Sequence, residues 1–170
     1  MAFSLEQHDP ASYQRKARII SVAMAGQLII FGLLFSMLLT TTFGSSVWLN
    51  ALGVLLGLLA TSAMFAALRE RPWMAEMRYV WQLKHHLSRI SSYLQPLRRA
   101  VEDDNRLALD ILTFYHQGMA QLAELNGRTT DDDAERLAEK MQVKVKREAL
   151  GLPKEVTTFD PHDLSAFKQK

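Results

Sequence analysis

Cysteine does not occur anywhere in this 170-residue chain. Disulfides, thiolate nucleophiles and cysteine-held zinc or iron–sulfur centres are thereby excluded. The absence also suits a domain that faces a reducing compartment. No phosphate-binding glycine loop and no G-x-G-x-x-G, G-x-S-x-G or H-E-x-x-H pattern is present either. The commonest nucleotide, hydrolase and metalloprotease chemistries therefore lack their usual carriers. A field of one charge sign is missing too. Residues 1–18 hold three bases against two acids, and residues 69–170 hold 17 against 16. The pI near 9.0 reflects a small excess of base, not the basic face that nucleic-acid binding needs, and no nucleic-acid partner is expected.

The most informative absence is local. From Ile19 to Leu68, fifty consecutive residues include no Asp, Glu, Lys, Arg or His. Such a run is too long for a core helix and suits two membrane spans of about 20 residues joined by a tight turn. It is also far longer than the 7–15 residues of a signal-peptide core, so a permanent anchor is expected. Asp9-Pro10 reads as a helix start, with Asp9 as cap and Pro10 at the first helical position. The first span is expected over about 19–40, the uncharged turn over 41–46, and the second span over 47–68. At about 1.5 Å per residue, 22 residues reach roughly 33 Å, enough to cross the hydrocarbon.

Charge sets the expected orientation. Arg15, Lys16 and Arg18 precede the first span, and Arg69, Arg71 and Arg78 follow the second. The connecting turn carries no Lys or Arg, so both termini are expected in the cytoplasm. Trp48 then lies at the outer interface, and Trp73, Tyr79 and Trp81 lie at the inner one, where amphipathic aromatics settle. These aromatics read equally as interfacial anchors or as a rest for the membrane or a partner.

Small residues four apart mark helix-packing faces. Gly53 and Gly57 form a GxxxG extended by Thr61, and the first span repeats the spacing at Ser21/Ala25 and Gly32/Ser36. These faces serve either packing within the hairpin or a contact between copies in a homo-oligomer. Neither span holds an ionisable residue, which argues against ion-coupled transport.

Beyond Leu68 the periodicity is helical throughout. Pro72 opens a helix whose apolar positions run Trp73, Met77, Val80, Leu83, Leu87, Ile90 and Leu94. Pro96 starts or kinks the next piece, which ends at Asp103-Asp104-Asn105. A second strong helix runs from Asn105 to Leu125 and is closed by Asn126-Gly127. A third is capped by Thr130 with Asp131–Asp133 behind it and ends near Leu150-Gly151. The expected architecture is all-α: residues 1–18 a cytoplasmic N-terminal segment, 19–68 a two-span hairpin, 69–152 a small cytoplasmic helical bundle, and 153–170 a polar tail with one helical signal at Asp160–Asp163. A core this thin gains from oligomerisation or docking.

Few side chains advertise chemistry. His85 and His86 diverge by about 100° on a helix and do not chelate one metal, whereas i,i+4 pairs do. His116 is the other interior candidate, but no ligand partner stands at diagnostic spacing. No metal, cofactor or catalytic residue is expected. Lys140, Lys144, Lys146 and Arg147 read as cations favoured at a helix C-terminus, with contact to anionic lipid as the alternative.

The two-span layout and the segment Ile111-Leu112-Thr113-Phe114-Tyr115-His116-Gln117-Gly118 resemble a family of small bacterial inner-membrane proteins of unknown function. The resemblance implies a multi-pass location in the inner membrane and no assigned activity. Phe114, Tyr115, His116 and Gly118 stand out as candidate interaction residues, because a mid-helix glycine costs about 1 kcal/mol against alanine unless close packing needs it. The reading is a non-enzymatic, membrane-anchored helical module that binds a membrane or cytoplasmic protein; the alternative is an oligomeric small pore or transport accessory. An enzyme centred on His116 and Tyr115 ranks third.

Overall fold

The computed structural model describes residues 2–128 and 134–168. Apart from one short strand pair, all regular structure among them is helical. The cap expected from Thr130 to Asp133 lies outside the described residues. The chain divides into two compact units, one of Ser12–Arg78 and one of Met1–Ala11 with Tyr79–Lys170.

The first unit is built on a helical hairpin. Helix α1 spans Pro10–Phe43 and α2 spans Val47–Leu68, both long and apolar enough to cross a membrane. Asp9 accepts a hydrogen bond from the Ala11 amide at 3.4 Å, as an N-cap should. The start and end of α2 match the sequence expectation, but α1 continues three residues beyond Thr40. Thr40, Thr41 and Thr42 explain this, since each donates its hydroxyl to a carbonyl one turn back on Ser36, Met37 or Leu38. Their polar groups are thereby satisfied inside the helix. Gly44, with φ of 92°, then stops it.

The hairpin seam follows from small side chains. Gly53, Gly57 and Thr61 are the buried residues of α2, and Gly32 is buried on α1. Gly53 faces Ser36 and Gly57 faces Gly32, so α1 retreats four residues as α2 advances four. That is the register of an antiparallel pair.

The second unit is organised around one helix. Helix α3 (Ala75–Ser91) begins in the first unit, after a 3-10 turn at Pro72–Met74, and enters the second at Tyr79; α4 runs Leu94–Glu102. Helix α5 spans Arg106–Leu125, and α6 spans Ala134–Ala149. Asp104 at φ 55° makes the tight corner into α5. Asn105 caps α5 by accepting from the Ala108 amide at 3.1 Å. Helices α4 and α6 both pack on α5. Ten of the 20 residues of α5 are buried, on every side rather than along one stripe.

The chain ends also belong to this unit. Strand β1 (Phe3–Ser4) pairs antiparallel with β2 (Thr158–Phe159), setting Phe3 opposite Phe159. Strand β2 packs on α5, and Phe159 and Leu164 are buried. A 3-10 turn at Pro161–Phe167 follows, capped by Asp160, which accepts from the His162 amide at 3.0 Å. The polar tail read from the sequence thus contributes apolar side chains to the core.

Candidate functional site

Three groups of side chains carry the chemistry of the described residues. The first joins α4, α5 and α6. Arg98 on α4 grips Glu139 on α6 with two hydrogen bonds, Nε donating at 2.7 Å and Nη2 at 3.2 Å. A forked pair of this kind is stronger and more directional than a single contact. Glu135, one turn earlier, lies 3.7 Å from the same guanidinium. The Glu139 hydrogen bonds hold Arg98 above the usual arginine range, working against its partial burial.

His116 on α5 lies behind this pair, 8% exposed, with Nε2 at 3.7 Å from the second Glu139 oxygen. That separation is too long for a hydrogen bond, and no other described group partners this nitrogen. Burial pushes the imidazole below its ordinary value. Glu139 opposes the shift, while Lys140, Arg98 and Arg136 reinforce it. The group therefore favours a neutral ring beside a carboxylate already neutralised by arginine. Arg98 and Glu139 also line an open groove of about 320 Å³, together with Glu102, Leu112, Glu135 and Val143.

The second group is an aromatic clasp at the chain termini. Phe3 stacks on Tyr79 with centroids 5.6 Å apart and meets His86 at 4.7 Å. Phe159 stacks on Phe114 at 5.2 Å. Polar atoms close around the rings: Tyr79 accepts from the Glu6 amide at 3.0 Å and donates to Gln121 at 2.7 Å. The Gln121 amide in turn donates to the Glu6 carbonyl. Burial raises Tyr79 above the usual phenol range. Burial lowers His86, helped by the neighbouring His85 and Arg89.

The third group is the glycine seam with its polar neighbours. Ser36 donates to Asn50 across the hairpin, and Thr61 donates to the Gly57 carbonyl at 2.8 Å. Seven of the residues expected at a membrane interface, Arg15, Arg18, Trp48, Arg69, Arg71, Trp73 and Trp81, are exposed. Lys16 is half-buried and pairs with Glu76 at 2.6 Å.

The structure moves one expected surface indoors. Phe114, Tyr115 and His116 are buried, and Gly118 lies beneath Leu83 and Leu87 of α3. This segment fills the core because α5 is surrounded, so it presents no outer face to a partner. Gly118 is explained by space: a Cβ there would meet Leu87 Cδ2 at 2.9 Å. The basic end of α6 also divides. Lys146 donates to the Val101 carbonyl at 2.7 Å and pairs with Asp104 at 2.6 Å. Arg147 is buried against Asp110 and the Pro153 carbonyl. Sequence reasoning missed the partnership of His116 with Glu139 and the clasp between the termini; neither leaves a local signal. No cluster of three or more His, Cys, Asp or Glu suited to a metal occurs among the described residues.

No curated protein and no solved structure matches the chain. A family model does, described as a protein of unknown function (DUF3087), and it covers residues 3–164. That match takes in the terminal clasp, the apolar hairpin and the helical bundle alike, and the chain belongs to the DUF3087 family of proteins of unknown function.

Proposed function

We propose that this protein is a two-span integral protein of a bacterial inner membrane, both termini cytoplasmic, carrying a helical module that binds another protein. The observation that carries the membrane reading is exposed apolar surface. Only 6% of the most apolar window of α1 and 17% of that of α2 is buried, and Leu33 and Met37 are 67% and 70% exposed. A core helix would bury such side chains, whereas lipid covers them at no cost. The basic residues flank both outer ends of the hairpin and are absent from its turn, which favours cytoplasmic termini.

The interaction reading rests on the bundle. Its main polar cluster is closed on itself through Arg98 and Glu139, and the groove they line mixes charge with Leu112 and Val143. Such a groove suits a peptide segment better than a reacting small molecule, so we take the module to be non-enzymatic. An oligomeric pore would need the Gly53–Gly57 face to link copies, and Ser36 and Gly32 of the same chain fill it.

The lack of native cysteine makes the test direct. In intact cells, a membrane-impermeant maleimide should label Ser45→Cys in the turn, while Ser165→Cys should react only after permeabilisation. The reverse pattern sinks the orientation, and equal labelling in a soluble fraction sinks the spans. A photocrosslinker at Gln142 in the groove should give a discrete adduct that Ala138→Trp abolishes. Adducts unchanged by that filling substitution would remove the groove as a binding site.

A further inference from the structure

We infer that the outward face of α6 docks on the anionic lipid surface of the bilayer in which the chain is anchored. This inference rests on the two-span reading above. Helix α6 turns one face into the bundle and leaves an apolar face uncovered among the described residues. Val143 and Arg147 turn inward. Leu137, Met141 and Val145, at successive four-residue steps, are 50%, 56% and 64% exposed. Ala134 and Ala149, both exposed, widen the same outer stripe. A helix that merely closed the bundle would carry polar residues there.

Charge supplies the occupant. Lys140 and Lys144 stand one turn apart along the flank of the stripe, three residues after Leu137 and Met141. They are exposed, and neither makes a hydrogen bond or ion pair among the described residues. Lys146 and Arg147, by contrast, are committed to Asp104 and Asp110. Glu135 is engaged by Arg98, and the exposed Glu148 ends the stripe one turn past Lys144. Lysine stems reaching to phosphates beside side chains set into the acyl boundary is the arrangement of an interfacial helix.

Area argues against a second copy. Three side chains on about two turns fall well short of the roughly 800 Å² per partner of a stable protein interface. A lipid surface sets no such minimum. Anchoring by the spans makes docking intramolecular, so a weak local attraction suffices.

The test uses the full-length protein in nanodiscs, with Met141→Cys carrying a polarity-sensitive fluorophore and a separate Met37→Cys reporter on α1. In discs containing anionic phosphatidylglycerol, a lipid-borne nitroxide should quench the Met141 reporter and aqueous iodide should not. Each near-surface lysine shifts such a balance about fivefold, so Lys140→Gln with Lys144→Gln should lower the docked-to-free ratio roughly 30-fold. Iodide access that is full and unchanged across neutral and anionic discs overturns the inference. Shielding that requires two copies per disc also overturns it, by assigning the face to a second copy. A Met37 reporter untouched by the lipid nitroxide would instead overturn the two-span reading, and the inference with it.

Discussion

Gly57 meets Gly32 with no space for a methyl group between them: a Cβ on Gly57 would lie 2.6 Å from the Gly32 nitrogen and 2.7 Å from its Cα. The obstacle is backbone, which cannot swing aside as a side-chain terminus can. Gly53 stands in the same relation to the backbone of Ser36. Close approach along this seam lets Ser36 reach Asn50 across the hairpin. Where lipid covers the outer faces, van der Waals contact and such bonds hold a helix pair together.

Gly57→Leu should therefore open the hairpin of a single chain. Overpacking against a fixed neighbour costs about 1–3 kcal/mol, and backbone on backbone belongs at the upper end. Unfolding in mild detergent monitored by circular dichroism should show the loss, and Gly26→Leu should not, since nothing lies within 4 Å of a Cβ at Gly26. If Gly57→Leu leaves hairpin stability intact and only alters the number of copies per particle, the seam lies between chains.

Gly118 presents the opposite case. The nearest atoms to a Cβ there are the ends of Leu87 and Leu83, at 2.9 and 3.3 Å, and these can rotate. Removing a mid-helix glycine gains about 1 kcal/mol of helix propensity. Gly118→Ala should thus fall within about 1 kcal/mol of the wild type, while Gly118→Leu should lose about 3 kcal/mol through overpacking. Denaturant titration of Gly118→Leu with and without Leu87→Ala checks the mechanism. Truncating Leu87 should restore part of the loss, and strictly additive effects would refute the contact.

What the sequence made legible was what local chemistry writes. An uncharged run gave both apolar helices, and the bounds of α2 match because Ser46 and Arg69 stand at true composition breaks. The Asn105 cap and Asn126-Gly127 bounded α5. What stayed hidden is non-local. A two-residue strand has no alternation to read, so the pairing of Phe3 with Phe159 left no mark. Phe114, Tyr115, His116 and Gly118 stood out as interaction candidates because a mid-helix glycine calls for a reason. In fact α5 is buried all round, and His116 is tolerated inside as a neutral ring. The basic end of α6 obeys the helix-dipole rule, yet only the fold separates Arg147, drawn inward, from Lys144, left outside.

His116 should make stability depend on pH. Its folded pKa lies below the ordinary 6.5, so the unfolded chain binds the proton first as pH falls. Stability is then fully present above about 6.5 and declines with acidification down to the lower folded value, below which this contribution levels off. His86 is shifted the same way and adds to the slope. His116→Asn should flatten the profile of denaturation midpoints between pH 7.5 and about 5, and His116→Asn with His86→Asn should flatten it further. A variant profile that tracks the wild type throughout would assign the dependence to other groups.

Arg147 should be the costliest charge to remove. Only 2% exposed, it donates Nε and Nη2 to the Pro153 carbonyl at 3.0 and 2.7 Å and Nη1 to Asp110. One planar fork thereby ties the end of α6 and the start of the tail to α5. Arg147→Ala leaves the Pro153 carbonyl without its donor and the partly exposed Asp110 carboxylate without its partner, at a cost of about 2 kcal/mol. Arg147→Lys should recover little, because one ammonium cannot reproduce donors spread across the fork. Hydrogen exchange should locate the damage as faster amides over 150–160, since the β1–β2 pair is held through the same tail. If Arg147→Lys restored both stability and protection, charge alone would be the requirement and the forked geometry incidental.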